Sequence, residues 1–289
     1  MTIANLFSTK ENTPVISMEV FPPKKDSPIE VIDNTLEAIS DYNPAFVSVT
    51  YGAGGRGAGR HLETAKRIQK LVKAPVLGHL TCVGASPEMI NSVLDGFEEI
   101  GMTDVLALRG DVPEGMKSED AFKHFNHASD LVSFIEKRGG FSVAAACYPE
   151  IHFEAQSGSD DIAKLKLKVE AGAEFLITQL FFNNSSFYEF MNTIRLNNIF
   201  VPVTAGIMPL KNADQILRMT TLCGASIPAK LSRIIAKYGS DPESFTEAAL
   251  DYTCTQIEEL ISGGVDGIHI YTMNRPKYVG RILKNLNLI

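Results

Sequence analysis

Short apolar runs rich in β-branched residues recur along the chain, separated by stretches in which apolar positions return every three or four residues. The first run, VISMEV at 15–20, is broken by FPP and followed by a helical pattern over about 28–40. AFVSVTY (45–51), PVLGHLTC (75–82), DVLALRG (104–110) and FSVAAACY (141–148) repeat the pattern, each leading through a polar or Gly/Pro loop into a helix-like stretch. FLITQLFF (175–182), VPVTAGI (201–207) and GIHIYTM (267–273) bring the count to eight. A longer, multi-helix insertion over about 211–262 precedes the last run, and one short helix over about 276–286 follows it.

Near-continuous apolar strands predict a sheet covered on both faces. Eight βα repeats in 289 residues fit a closed barrel better than an open doubly wound sheet. The predicted fold is therefore α/β, a single-domain (β/α)8 TIM barrel spanning 1–289, with catalytic groups at the carboxyl ends of its strands.

Composition narrows the picture. With 45% hydrophobic and 21% charged residues the chain is an ordinary globular sequence, which excludes disorder and collagen-like repetition. Lys plus Arg number 27 against 34 Asp plus Glu, a net charge of −7 with no basic cluster, so nucleic acid and anionic membrane are not expected partners. No apolar run approaches the roughly 20 residues of a spanning helix, and the amino terminus lacks a basic segment followed by an apolar one. A cytoplasmic location is expected. Cys82, Cys147, Cys223 and Cys254 form no CxxC pair and read as free packing thiols.

The polar residues at the strand ends are Glu19, Thr50, His79, Thr81, Arg109, Asp111, Tyr148, His152, Gln179, Tyr271 and Arg275, drawn from seven of the eight strands. They are expected to converge on one mouth. Glu19 stands out because it places a carboxylate inside an apolar strand, where an unpaired charge is costly and burial favours the protonated acid. It is either a proton donor or the partner of an Arg or Lys on a neighbouring strand. Arg109 and Asp111, two apart after a buried strand, could face a ligand together or pair with each other at the rim, and Gly110 between them allows close backbone approach. His79 and His152 are either site residues or satisfied rim histidines.

Two patterns look like known motifs without their supporting residues. His124 and His127 form HxxH with no third ligand in register, so no metal site is expected. Gly52, Gly54 and Gly57 make a literal GxGxxG, yet no Asp or Glu occurs between Glu63 and Glu88 to hold a ribose, and the segment reads as a loop at the barrel mouth. The run KLKLK at 164–168, just after Asp160 and Asp161, is either a solvated helix face or a pyrophosphate contact.

ISMEVFPP, FVSVTYGA, HLTC, ALRGD, YPEIH, ITQLFF, GIMP and HIYTMNR occur in this order, nearly one per strand, and in them the chain resembles the bacterial-type methylenetetrahydrofolate reductases across almost its whole length. The resemblance implies an FAD-containing barrel of one-carbon metabolism that reduces 5,10-methylenetetrahydrofolate to 5-methyltetrahydrofolate with NADH or NADPH. The two substrates use one site by turns, in ping-pong fashion, and relatives form homo-oligomers. Carried over by motif, Thr50, Tyr51, Ala53, His79, Arg109, Gly110, Asp111, Tyr148, His152, Ala155, Asp161 and Lys168 are similar to FAD contacts, as are His127 and Ala128. In this reading Lys168 meets the pyrophosphate. Glu19 becomes the general acid, Asp111 and Gln179 contacts of the folate head, and Arg275 a contact near the substrate end of the site.

The chain departs from the family pattern in three places. The GAGGRGAG loop after Tyr51 replaces a more polar sequence, Lys164 and Leu167 replace polar or basic residues, and Met219 stands where an aromatic is expected. Among competing readings, a flavin barrel of the proline dehydrogenase type has no role for Glu19 or Gln179. A Schiff-base aldolase needs a buried strand-end Lys, which no strand offers. A non-enzymatic binding barrel has no use for a buried strand-end Glu.

Overall fold

Eight runs of β-branched and small apolar residues form eight parallel strands: β1 (Val15–Val20), β2 (Phe46–Val49), β3 (Val76–Thr81), β4 (Asp104–Leu108), β5 (Ser142–Cys147), β6 (Phe175–Thr178), β7 (Val203–Ile207) and β8 (Gly267–Tyr271). In the computed structural model, which describes residues 2–9, 13–51 and 58–289, they close in sequence order into a barrel. β8 pairs back on β1 from Val15↔Gly267 to Glu19↔Tyr271. The (β/α)8 barrel expected from the hydrophobic rhythm is the fold found, and every residue of β2, β3, β6 and β7 is buried. The strands run shorter than the apolar runs because their flanks, such as Arg109 and Tyr148, turn outward into the loops that form the mouth.

Helices cover the outer face, and their ends carry the expected stop and start chemistry. Pro87–Glu99 begins on Ser86, whose Oγ accepts from Met89 N at 3.3 Å, and Gly158–Glu170 begins on Ser157, whose Oγ accepts from Asp160 N. The insertion before β8 is three helices, Ala213–Cys223, Ala229–Tyr238 and Pro242–Ser262, and the helix Pro276–Asn285 follows β8. No helix among the described residues is long and apolar enough to cross a membrane.

The core has three parts. The largest lies between strands and helices, and a second, around Phe182, Met208, Leu231 and Phe245, seats the three-helix insertion. The third fills the barrel's lower interior with Val15, Phe46, Leu77, Leu106 and Phe175, and Ile3 closes it from below. Along β1 the inward positions are Val15, Ser17 and Glu19, because side chains alternate across a strand. A polar layer therefore lies on the apolar floor and underneath the mouth.

Candidate active site

Glu19 stands at the top of that polar layer, with only 6% of its surface exposed. Its Oε2 lies 3.5 Å from His79 Nε2 and 3.9 Å from His269 Nε2, and no Arg or Lys pairs with it. The strand-to-strand ion pair offered as the alternative for Glu19 is thus absent among the described residues. His269, fully buried, is held from beneath by Ser17 Oγ at its Nδ1 (2.7 Å) and by Ser48 Oγ at its Nε2 (3.2 Å). Burial pulls the His79 imidazole down to about 4, against the upward push of Glu19, so His79 is neutral near pH 7. Its Nε2 is buried without a hydrogen-bond partner.

The turn after β8 fixes the end of β1. Thr272 Oγ1 donates to the Glu19 carbonyl at 2.6 Å, while Asn274 exchanges two hydrogen bonds with the Phe21 backbone. Met273 and Asn274 both take left-handed φ, 50° and 53°, a conformation disfavoured for Met and held by these bonds. Arg275, which follows them, is thereby placed at the mouth.

A cavity of about 820 Å³ opens above Glu19. Of the residues singled out at the strand ends, Glu19, Thr50, His79, Asp111, Tyr148, Gln179, Tyr271 and Arg275 line it, together with Gly110. Leu106, Leu108, Ala146 and Ile177 give it apolar walls on the β4 to β6 side. Gln179 is anchored at both ends, its N–H donating to Cys147 O and its Oε1 accepting from Leu180 N, each at 2.8 Å. Burial raises the Tyr148 hydroxyl well above its ordinary value, with Asp111 adding to the effect, so Tyr148 stays a neutral phenol.

The rest of the set forms a cluster beside the cavity. Tyr148 and His152 meet edge to face at 4.5 Å, the His152 N–H donates to Asp161 Oδ2 at 3.1 Å, and the Ala155 N–H donates to His152 O. Lys168 Nζ donates to Ala146 O at 2.8 Å and sits 5.9 Å from the Tyr148 ring, with burial lowering its pKa. The two readings of the lysine run divide between its members. Lys168 turns inward, whereas Lys164 pairs with Asp160 and Lys166 with Glu170 on the solvated side.

Arg109 belongs to this cluster and does not pair with Asp111. Gly110 takes φ +78°, which breaks the extension and turns the two side chains apart. A Cβ at Gly110 would also meet Val83 Cγ1 at 2.7 Å. Arg109 instead pairs with Glu154, stacks 4.1 Å over the Phe122 ring, and donates to Asn126 O. The His127 N–H is capped by Asp130 at the start of the helix Ala128–Arg138, and His127 O accepts from Cys82 Sγ, which links this helix to the end of β3. Tyr51 is buried edge-on against His61, 5.3 Å away, and does not line the cavity. Ala53 and the glycines at 52, 54 and 57 lie outside the described residues.

β7 contributes no polar strand-end side chain: Met208, directly after it, is apolar, and the last inward position within the strand is a glycine. Gly206 occupies that position, where a Cβ would meet Thr178 O at 2.3 Å and the Tyr271 hydroxyl at 2.6 Å. Tyr271 crosses over it to donate to Thr178 O. The β7 side of the cavity is instead supplied by the next loop and helix, through Met208, Asn212, Asp214, Gln215, Arg218 and Met219. The spacing of 212, 215 and 219 marks one helical face and was legible in principle. Glu154 as partner of Arg109 has no such signal.

A family model described as methylenetetrahydrofolate reductase matches residues 5–287. The chain is 32% identical over 262 residues to the 5,10-methylenetetrahydrofolate reductase of Escherichia coli (strain K12), covering 91% of this chain and 87% of that protein. It is 34% identical over 296 residues to methylenetetrahydrofolate reductase (NADH) 1 of Arabidopsis thaliana, covering 97% of this chain and 50% of the relative. The chain thus spans about half the length of the plant relatives it matches. Among solved structures, an uncharacterized protein from Clostridium thermocellum that binds two copies of 5-methyl-5,6,7,8-tetrahydrofolic acid superposes with a TM-score of 0.68. That match covers 99% of this chain and 100% of the other at 16% identity, a likeness of fold.

Proposed function

The chain belongs to the methylenetetrahydrofolate reductase family, and from that premise we propose that residues 1–289 form a single catalytic barrel that binds FAD and reduces 5,10-methylenetetrahydrofolate to 5-methyltetrahydrofolate with NADH or NADPH. The observation that carries this reading is Glu19, a buried carboxylate with no Arg or Lys paired to it among the described residues, at the floor of a cavity with Asp111 on its rim.

The residues present suit a flavin. Leu106, Leu108, Ala146 and Ile177 form an apolar wall, and His79 Nε2 is a buried ring nitrogen still lacking a partner. Thr50, Gly110, Asp111 and Tyr148 would complete the ring site. His152, Ala155, Asp161 and Lys168, with Arg109, His127 and Ala128 beside them, would take the pyrophosphate and adenosine. Lys168 would meet phosphate through charge-assisted hydrogen bonds. Arg109 would do the same once its bond to Glu154 opens. Bound there, FAD would supply hydride exchange, first with the nicotinamide and then with the one-carbon unit.

The chain's own share is proton delivery, orientation and electrostatics. Opening the folate's five-membered ring needs a proton on the leaving nitrogen, and the Glu19 carboxyl would donate it from its oxygen. The carbonyl of Glu19 is pinned by Thr272 and its carboxylate borders two histidines, so the acid has little freedom to turn away. Ring opening leaves an iminium cation, which Asp111 would stabilise from the rim. Gln179, locked by its own two hydrogen bonds, presents its amide N–H2 to the bicyclic head, and Arg275 would bind nearer the tail.

The test is to reconstitute the protein with FAD and follow its absorbance anaerobically. NADH or NADPH should bleach the flavin, and methylenetetrahydrofolate should restore it. Glu19→Gln should leave bleaching intact and slow the folate step by about 10²- to 10⁴-fold. Near-normal reoxidation in the variant would remove Glu19 from the acid role. Equal damage to both half-reactions with lowered stability would make it a packing residue.

A further inference from the structure

A second cavity, of about 260 Å³, lies among the outer helices and shares no lining residue with the one above Glu19. Two helices begin at it, Asn184–Leu196 after β6 and Ala229–Tyr238 in the insertion before β8, and the helix Pro242–Ser262 walls it. Its polar groups fall into two sets of opposite demand. The first set asks for an anion. Pro228, at the N-cap of Ala229–Tyr238, gives no side-chain cap, and the N–H groups of Ala229 and Lys230 have no acceptor among the described residues. Lys230 pairs with no carboxylate among them either, its Nζ lying 5.7 Å from the Tyr252 ring. The second set asks for hydrogen-bond donors. Asn184 is only 8% exposed, and its Nδ2 donates to Gln256 O at 3.0 Å and to Glu259 Oε2 at 2.8 Å. Those two acceptors fix the amide, since a flip would set Oδ1 against both, and Asn184 Oδ1 is left buried without a partner among the described residues. The Glu259 carboxylate is itself exposed at the cavity.

An anion alone would meet Glu259, and a cation alone would meet Lys230 and the positive ends of two helices. A small zwitterion answers both sets, and the orphaned amide oxygen requires that its cationic end carry N–H groups. The remaining walls, Phe182, Tyr188, Tyr252 and Pro228, suit an apolar body. We propose that this cavity binds a free α-amino acid with an apolar side chain. Its carboxylate lies at the uncapped start of Ala229–Tyr238 beside Lys230, and its ammonium group donates to Asn184 Oδ1 and to Glu259. The volume is many times that needed for one water and falls just short of a drug-sized pocket, as a ligand of this size requires. Neither Lys230 nor Glu259 lines the cavity above Glu19, so the site is separate from the flavin chemistry proposed there. Both side chains are exposed, which screens their contacts and keeps the affinity modest.

The experiment titrates the full chain, supplemented with FAD, with L-leucine, L-methionine and L-phenylalanine, each alone, followed by calorimetry and saturation-transfer NMR. At least one should bind with a Kd of about 1 mM. For the amino acid that binds tightest, the amine lacking the carboxylate and the acid lacking the amine should each bind at least about fivefold more weakly. Lys230→Met and Glu259→Gln, the second of which keeps an oxygen for Asn184 Nδ2, should each raise its Kd about threefold or more. Lys237→Met, on the same helix as Lys230 but outside the cavity, should leave it unchanged. No binding of any of the three would leave Asn184 Oδ1 to water and overturn the proposal. A one-ended analogue that binds as tightly as the amino acid would overturn it as well, because the site would then answer one charge only. An unchanged Kd in Lys230→Met or Glu259→Gln would place the binding elsewhere, and equal weakening by Lys237→Met would reduce the effect to net charge. Either result sinks the assignment.

Discussion

At the scale of single residues, burial keeps two imidazoles, His61 and His79, neutral near pH 7. His61 is fully buried, lies between the Tyr51 and Phe97 rings at 5.3 Å from each, and has no partner for either nitrogen among the described residues. Burial lowers its pKa from 6.5 to about 3, with His79 adding to the effect. Between those values the unfolded chain binds a proton that the folded protein refuses. The stabilisation is therefore complete above pH 6.5 and is lost as the pH falls toward 3. His79, lowered to about 4, acts in the same direction. His61→Phe, which keeps a flat ring against two aromatic neighbours, should flatten the fall of the urea midpoint between pH 6.5 and 4. Superimposable pH profiles for wild type and variant would show that water reaches the His61 ring in the folded protein.

At the scale of elements, the helix Gly158–Glu170 separates two roles within five residues. Lys168 Nζ reaches back to the Ala146 carbonyl of β5, close to Tyr148, while Lys166 stays in solvent with Glu170. If this helix carries the pyrophosphate, Lys168→Met should weaken FAD binding by about 1.5–3 kcal/mol, at least about tenfold in Kd. Lys166→Met should leave it unchanged. Flavin fluorescence quenching on titration measures both, and equal effects would return the whole run to a solvated face. The same contrast explains what the sequence could carry. A short apolar run is a local property, so the eight runs of β1 to β8 and the carboxylate of Glu19 set within the first could be read from the sequence alone. Which of three lysines turns inward depends on how the helix sits on β5. The partner of Arg109 depends on Glu154, 45 residues away, and on the positive φ of Gly110. The β7 side was invisible at the strand end because Gly206 leaves room for Tyr271, a packing requirement that only the neighbouring strand reveals.

At the scale of the whole molecule, the barrel sets the candidate site at one end and a packed plug at the other, the division that parallel βα barrels make between chemistry and stability. The mouth gathers Glu19, Asp111, Gln179 and Arg275 above a polar layer, whereas the opposite end is closed by the helix Ala4–Thr9 and the residues before it. There Ile3 is fully buried, Phe7 lies 5.3 Å from Phe175, and the Ile3 N–H donates to Asp104 Oδ1 at 2.7 Å. Asp104 Oδ2 accepts from Thr103 Oγ1 as well, and burial raises the pKa of the carboxyl group. Asp104→Ala would leave the Ile3 N–H buried without an acceptor and loosen the plug, for a loss of about 1–3 kcal/mol. Because Asp104 starts β4 while Asp111 follows its other end, that loss should appear in the urea midpoint and leave both flavin half-reactions near wild type below the transition. Glu19→Gln should give the reverse pattern, a folate step slowed with the midpoint little changed. If Asp104→Ala instead slows the folate step while the protein remains folded, β4 transmits strain along its length, and the division between the two ends does not hold.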